Sequence, residues 1–243
     1  MSQPAERVGR VLSPEVLRGI PYFAEVDAAG REALARAARL QGYRAGEVVL
    51  LEGAPCRGLY VVVEGRVKVY KASADGKEQV LRILGPGRTF NDVPVFDGGP
   101  NPGSVAALER TTVALLPKAE VLALLDRDPK VAKAVIRVLA ARLRALTVVI
   151  EDLSLRSVVA RVARLLLDCT RGQPALVEGP EGACARLTQQ QLAAMTGSVR
   201  EVVQRALKTL ERDGAIRLER ARVIVLDPDA LARWAEADGR GGR

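Results

Sequence analysis

The stretch from Thr188 to Ile216, TQQQLAAMTGSVREVVQRALKTLERDGAI, constrains this chain more than any other. Thr188 followed three residues later by Gln191 predicts a capping-box start to a short helix. The apolar positions Leu192, Ala193 and Met195 stop at Thr196-Gly197, where glycine permits a left-handed turn without steric cost. A second helix is predicted from Ser198, with Glu201 in the capping-box position. Ala193, Gly197 and Val203 supply the small residue, the flexible turn and the branched residue that a helix-turn-helix needs. Val203, Ala206, Leu207 and Leu210 then form one buried stripe. The opposite face carries Arg200, Glu201, Gln204, Arg205 and Lys208.

That face has the chemistry of DNA reading. Arginine bridges O6 and N7 of guanine with two hydrogen bonds, and glutamate accepts from the N4 amino group of cytosine. Arg200 and Gln204 are one helical turn apart, as are Glu201 and Arg205, so all four lie on the two turns that enter a major groove. Lys208, a turn further on, is placed for a phosphate. Glu201 carries two readings, base contact or helix cap. Beyond Gly214, Ile216–Leu218 and Val223–Leu226 predict a strand pair, the wing of a winged helix-turn-helix. Arg217, Arg220 and Arg222 on it are candidates for phosphate contact.

Composition agrees without deciding. A chain of 243 residues can build two domains with cores, and a net charge of +8 suits a polyanionic partner. Aromatic residues make up only 3%, which argues for double-stranded DNA over stacking-based recognition of single strands. No apolar run is long enough for a membrane span, and MSQPAERVGR has no signal-peptide core, so a cytoplasmic protein without membrane partners is expected. Cys56, Cys169 and Cys184 are an odd, scattered set, consistent with a reducing compartment. Cys56 stands beside Arg57, which could lower its pKa; the alternative is a small residue tolerated in a loop.

Two absences exclude whole classes of mechanism. Without histidine there is no Ser-His-Asp or Cys-His catalysis and no His-ligated zinc, and haem lacks its commonest axial ligand. Three distant cysteines cannot hold a four-cysteine iron–sulfur cluster. Nor is there a GxxxxGK[ST] phosphate loop. Neither an enzyme nor a cofactor is expected.

Ahead of the DNA-reading segment, Ser13-Pro14 predicts a helix start, and a second helix is expected over Asp27–Leu40. Short β segments follow: Val48–Leu51, Leu59–Val63, Arg66–Tyr70, Gln79–Ile83 and Thr112–Leu116. Glycine turns between them indicate a barrel, sandwich or jelly roll. Asp128-Pro129 opens a long helix. Ala132, Val135, Leu139, Arg142, Leu146, Val149 and Leu153 trace an a/d heptad line on it, interrupted at Arg142. A second line, Ile136, Leu143 and Ile150, lies on another face. A helix apolar on two sides can cover its own β domain and a second subunit, or be buried wholly within its own chain. After a hinge at Leu155–Val158, Ser157–Cys169 is another amphipathic helix, and residues 175–187 have hairpin character.

In this order the parts resemble the bacterial cyclic-AMP receptor / fumarate-nitrate reductase regulator (Crp/Fnr) family of transcription factors. The resemblance runs from Tyr22 to Leu226. It rests on IPYF at Ile20, GEVVLLEGAP at Gly46–Pro55, LYVVVEGRVKVY, DGKE and LGPG in the first half, and on VREVVQRALKTLERDGAI in the second. It implies an α+β chain with a jelly-roll, cyclic-nucleotide-binding-like sensor over 13–127, a dimerisation helix and hinge over 128–156, and a winged helix-turn-helix over 157–228. A C-terminal helix and tail over 229–243 would follow. It also implies a homodimer seamed by Val135, Leu139, Leu146, Val149 and Leu153, RNA polymerase as a partner, and phosphate contacts at Thr188 and Gln190. The half-site would be TGTGA-like and part of a palindrome.

The sensor departs from the family pattern. Cyclic-nucleotide binders carry F-G-E-[LM]-A-L followed by R-[ST]-A, whose arginine pairs with the cyclic phosphate. Here the first segment reads Phe90-Asn91-Asp92-Val93-Pro94-Val95, and Pro102-Gly103-Ser104 takes the place of the second. An unpaired buried phosphate would cost roughly 3–5 kcal/mol, and Asp92 would add a like charge. Neither cAMP nor cGMP is therefore expected as effector. Asn91, Asp92, Ser104 and Thr147 are the candidate pocket for another small molecule. The alternatives are a stiffened, effector-independent regulator, or a ligand-binding module acting through protein contacts.

Overall fold

A computed structural model describes residues 6–7, 11–171, 177–178, 187–219 and 222–237. The chain divides into two compact units, Met1–Asp75 with Ile83–Arg142, and Gly76–Arg82 with Leu143–Arg243. Elements of the first half are β1 (Glu6–Arg7), α1 (Pro14–Arg18), α2 (Ala28–Ala37), β2 (Arg39–Tyr43), β3 (Val48–Leu50), β4 (Gly58–Glu64), β5 (Val67–Ala72), β6 (Glu78–Leu84) and β7 (Thr89–Phe90). Then come α3 (Val93–Asp97), β8 (Ser104–Ala107), β9 (Thr111–Pro117), α4 (Lys118–Arg127) and α5 (Pro129–Leu155). The second half adds α6 (Val158–Thr170), β10 (Val177–Glu178), α7 (Gln189–Met195), α8 (Arg200–Arg212), β11 (Ile216–Glu219), β12 (Arg222–Val225) and α9 (Pro228–Glu236).

In the first unit β1, β2, β9, β4 and β7 form an antiparallel sheet in that order, and β3, β8 and β5 lie side by side in a second. The apolar run in β4 is explained by burial on both faces. Leu59 and Val61, with Ala114 and Leu116 from β9, pack under Leu17, Phe23, Leu34, Val121 and Val131 of the helical layer. Tyr60 and Val62, with Val113 and Leu115, face Phe90, Val67 and Val105 instead. Each such fully buried side chain contributes about 1.5–3 kcal/mol. The helix expected to reach Leu40 stops at Ala37, because Arg39–Tyr43 is drawn into the sheet between β1 and β9. The short strands β7 and β8 and helix α4 carry little sequence signal. Pro117 precedes α4 without a side-chain cap.

Helix α5 begins at the expected Asp128-Pro129, but its seam is in a different phase. Val131 and Val135 are buried in their own β domain, with Val138 and Leu139 packed against the same cluster. Val135 and Leu139 therefore face inward, against the dimer role expected of them. The uncovered stripe is the second line, Ile136 (66% exposed), Leu143 (65%) and Ile150 (62%), flanked by Leu146 and Leu153. A helix apolar on two sides fits either phase, and only the position of the β sheet decides which is covered.

In the second unit Ser157 caps α6 through Ala160 N–H, at 3.3 Å. Thr188 and Gln191 form the expected capping box, with both reciprocal bonds present at 3.2 and 2.8 Å. Strands β11 and β12 pair Ile216 with Val225 and Glu219 with Arg222, giving the wing. Glu211 Oε1 accepts from Leu218 N–H at 2.8 Å and ties α8 to that wing. Asp152 near the end of α5 is flanked by Arg156 at 2.8 Å and Arg164 at 3.5 Å. Of the expected hairpin over 175–187, most residues lie outside those described; β10 lies beside β6 and is joined to it by the Arg82–Glu178 ion pair. The C-terminal helix is α9, and the tail beyond residue 237 lies outside the described residues.

The cysteines are not equivalent. Cys169 in α6 is disulfide-bonded, whereas Cys56 is free; Cys184 lies outside the described residues. No helix among the described residues is long and apolar enough to cross a membrane.

Candidate nucleic-acid interface and sensor site

The cap of the recognition helix lies one residue later than its sequence suggests. Val199, in an extended conformation, is the N-cap of α8, and no side chain caps this end. Ser198 precedes the cap, so the expected Ser198–Glu201 capping box is not formed. The backbone explains the shift. Gly197 adopts φ +63°, Ser198 N–H bonds Ala193 carbonyl at 2.9 Å, and Val199 carbonyl accepts from Val202 and Val203 N–H. Glu201 is thereby released from capping, which removes one of its two readings.

Val203, Ala206, Leu207 and Leu210 are buried, as the stripe requires, and Arg200, Glu201, Gln204, Arg205 and Lys208 are all exposed on the other side. Among the described residues, no hydrogen bond or ion pair engages these five side chains. Between α7, the start of α8 and the wing runs a groove lined by Thr188, Gln190, Arg200, Leu218, Glu219 and Arg222. Thr188, Gln190, Arg217 and Arg222 are exposed, as phosphate contacts must be. Arg217 is paired with Glu219 at 3.2 Å, an exposed bond that a phosphate can replace. Arg220 lies outside the described residues.

The sensor site is built differently. Asn91 has φ +65°, unusual for a residue with a side chain, and its amide donates to Gly58 carbonyl at 3.1 Å. Asp92 is only 5% exposed. It stands at the N-cap of α3 without capping it, because its carboxylate turns inward. Tyr22 donates its hydroxyl to Asp92 Oδ2 at 2.6 Å, and Arg142 of α5 forms an ion pair with the same oxygen. Arg142 also reaches Thr89, at 3.3 Å to the hydroxyl, and its guanidinium lies 5.9 Å from the Tyr22 ring centroid. The polar break in the heptad line is thus the partner of Asp92, and the like charge expected of Asp92 is neutralised within the protein.

The remaining candidates are also committed. Ser104 Oγ accepts from Glu52 N–H at 3.1 Å. Thr147 belongs to the other unit, is exposed, and donates to Arg144 carbonyl of its own helix at 2.7 Å. Sequence reasoning missed Tyr22, Arg142 and Asn101. Asn101 is 2% exposed and donates to Leu51 carbonyl at 3.1 Å, while its Oδ1 is buried without a partner among the described residues. Cys56 is not an activated thiol: burial pushes its pKa up, only partly offset by the Gly58 hydrogen bond and by Lys118.

Comparison with known proteins gives this architecture a family. Residues 40–128 match the model of the cyclic nucleotide-binding domain, and residues 160–234 match that of the Crp-like helix-turn-helix domain. The CRP-like cAMP-activated global transcriptional regulator of Mycobacterium tuberculosis is 30% identical, covering 91% of this chain and 99% of that protein. The cyclic AMP receptor protein of Thermus thermophilus is 32% identical over 79% of this chain and 86% of its own. Among solved structures, FixK2 from Bradyrhizobium japonicum superimposes with a TM-score of 0.71 at 25% identity, covering 82% of this chain and 98% of that one. The chain belongs to the Crp/Fnr family of DNA-binding transcription regulators and is not an enzyme.

Proposed function

We propose that the protein is a homodimeric, cytoplasmic regulator that binds a palindromic, TGTGA-like DNA site and is not controlled by cAMP or cGMP. The exposed, uncommitted quintet Arg200, Glu201, Gln204, Arg205 and Lys208 on α8 carries this reading. Arg200 and Arg205 read guanines, Glu201 reads the cytosine of a C·G pair, and Gln204 stands between them. Thr188, Gln190, Lys208 and the wing arginines hold phosphates. The stripe Ile136–Leu143–Leu146–Ile150–Leu153 seams two copies, setting the half-sites about 10–11 bp apart. RNA polymerase is the partner such a dimer would engage at a promoter.

Two relatives are described as cAMP-activated or as cyclic AMP receptors. The sensor of this chain argues against the same effector here. Asn101, a buried loop side chain there, is neutral, and the half-buried guanidinium of Arg142 is already held by Asp92. That pairing favours a second reading, in which no small-molecule effector is required.

Genomic binding-site selection with the full chain, followed by mobility shifts with and without cAMP, cGMP and a small-molecule extract, tests these readings together. A palindromic site bound equally under all conditions is expected. Arg200→Ala should weaken binding by roughly 1–3 kcal/mol and relax one base pair. Equal binding of that variant to cognate and scrambled DNA, with no loss from wild type, would sink the assignment. Strict dependence on cAMP would overturn the sensor reading, and no site at all would leave a module working through protein contacts.

A further inference from the structure

The N-cap of the recognition helix is apolar and exposed. Five other helices of this chain, α1, α2, α6, α7 and α9, are capped by side-chain oxygens of Ser13, Asp27, Ser157, Thr188 and Asp227. Helix α8 has Val199 there, with no side-chain cap and 48% of its surface exposed. Its backbone is fixed by the two bonds from Val202 and Val203 N–H, both 3.1 Å. The side chain is β-branched and therefore stiff. It is next in sequence to Arg200, at the end of the helix that enters the groove.

A hydroxyl at this position would cap the helix and contact a phosphate. Valine does neither. The one apolar group that base edges present in the major groove is the C5-methyl of thymine, and small apolar side chains recognise it. We propose that Val199 is a specificity-determining residue, packing on the methyl of a thymine adjacent to the guanine read by Arg200. The inference rests on the DNA-reading assignment of α8 and adds to it a preference that arginine and glutamate cannot supply.

Deoxyuridine, which lacks only that methyl group, separates this contact from all others. In mobility shifts with the full chain, each thymine of the selected half-site is replaced singly by deoxyuridine on either strand. One position should lower affinity about fourfold, the factor expected for one buried methyl group. Val199→Ser should be indifferent to deoxyuridine at that position, whereas Arg200→Ala should keep the sensitivity while losing its guanine preference. Serine is a good N-cap, so thermal unfolding of Val199→Ser should be no lower than wild type. Sequence-specific binding that is indifferent to deoxyuridine at every position overturns the role of Val199 alone, as does unchanged sensitivity in Val199→Ser. Loss of all sequence preference in the wild-type chain overturns the DNA reading, and this inference with it.

Discussion

The sensor and the recognition helix handle charge in opposite ways. In the sensor, buried Asp92 and half-buried Arg142 satisfy each other, with Tyr22 and Thr89 completing the cluster. On the first turns of α8 the charged side chains Arg200, Glu201, Arg205 and Lys208 are exposed and engage nothing among the described residues. A buried charge must find its partner inside the chain, because desolvation costs more than any exposed contact returns. A DNA-reading charge must remain free, because its partner arrives with the ligand. The sensor is thus built as a finished structure and the recognition face as an open one.

The strongest way to break this contrast is to remove one half of the buried pair. Asp92→Ala should destabilise the protein by roughly 3 kcal/mol in denaturant unfolding, the low end for a buried pair, since the half-buried Arg142 is left without its carboxylate. The double replacement Asp92→Leu/Arg142→Met should recover most of that loss. An Asp92→Ala protein as stable as wild type would show that the pair does not close the site. Next comes the seam. Leu146→Glu should impair dimerisation in sedimentation and lower DNA affinity markedly, with the β domain still folded. A Leu146→Glu protein that remains dimeric and binds normally would remove α5 from the route to DNA.

Smaller effects sharpen the comparison. Thr188→Ala should cost about 1 kcal/mol of stability by breaking the capping box, and should weaken DNA binding as well if the hydroxyl also meets a phosphate. A stability loss with unchanged affinity would assign Thr188 to the fold alone. Asp168 in α6 tests a charge that is buried but poorly matched. Burial raises its pKa, Asp152 adds to the rise, and Arg164 only partly opposes it. A carboxyl whose folded pKa lies above its unfolded value contributes stability at low pH that is lost as pH rises through the folded pKa. Asp168→Asn should therefore raise the melting temperature slightly at neutral pH and leave it unchanged below the ordinary aspartate range.

What the sequence makes legible follows from distance along the chain. The helix-turn-helix depends on caps, a glycine and a 3.6-residue stripe, all within reach of one another, and its exposed face matches the expectation. Its one error, the start of α8, arises because Ser198 resembles a cap while the backbone places Val199 there. The sensor cluster joins Tyr22 to Asp92, 70 residues apart, and Thr89 to Arg142, 53 apart. No local pattern announces such pairs, so along the sequence Asp92 looks like an unpaired charge and Arg142 like a flaw in a heptad. The phase of α5 is hidden for a related reason: two apolar lines are visible in the sequence, but which one is covered depends on a sheet formed elsewhere. Strand β8, Ser104–Ala107, is made of small residues with one valine and gives almost no strand signal.

Gly197 has a consequence for how variants of this protein can be interpreted. A β-carbon built there would lie 2.8 Å from Leu153 Cδ2, and the residue already holds φ +63°. Leu153 also belongs to the exposed stripe of α5. One leucine thus acts as a spacer for the turn and as a member of the stripe proposed to seam two copies. Positions 153 and 197 should drift together over evolutionary time, a bulkier turn being tolerated only where the leucine has been trimmed. For the experimenter the two roles are entangled, so a DNA-binding defect in Leu153→Ala cannot be credited to lost dimerisation unless the dimer is measured separately.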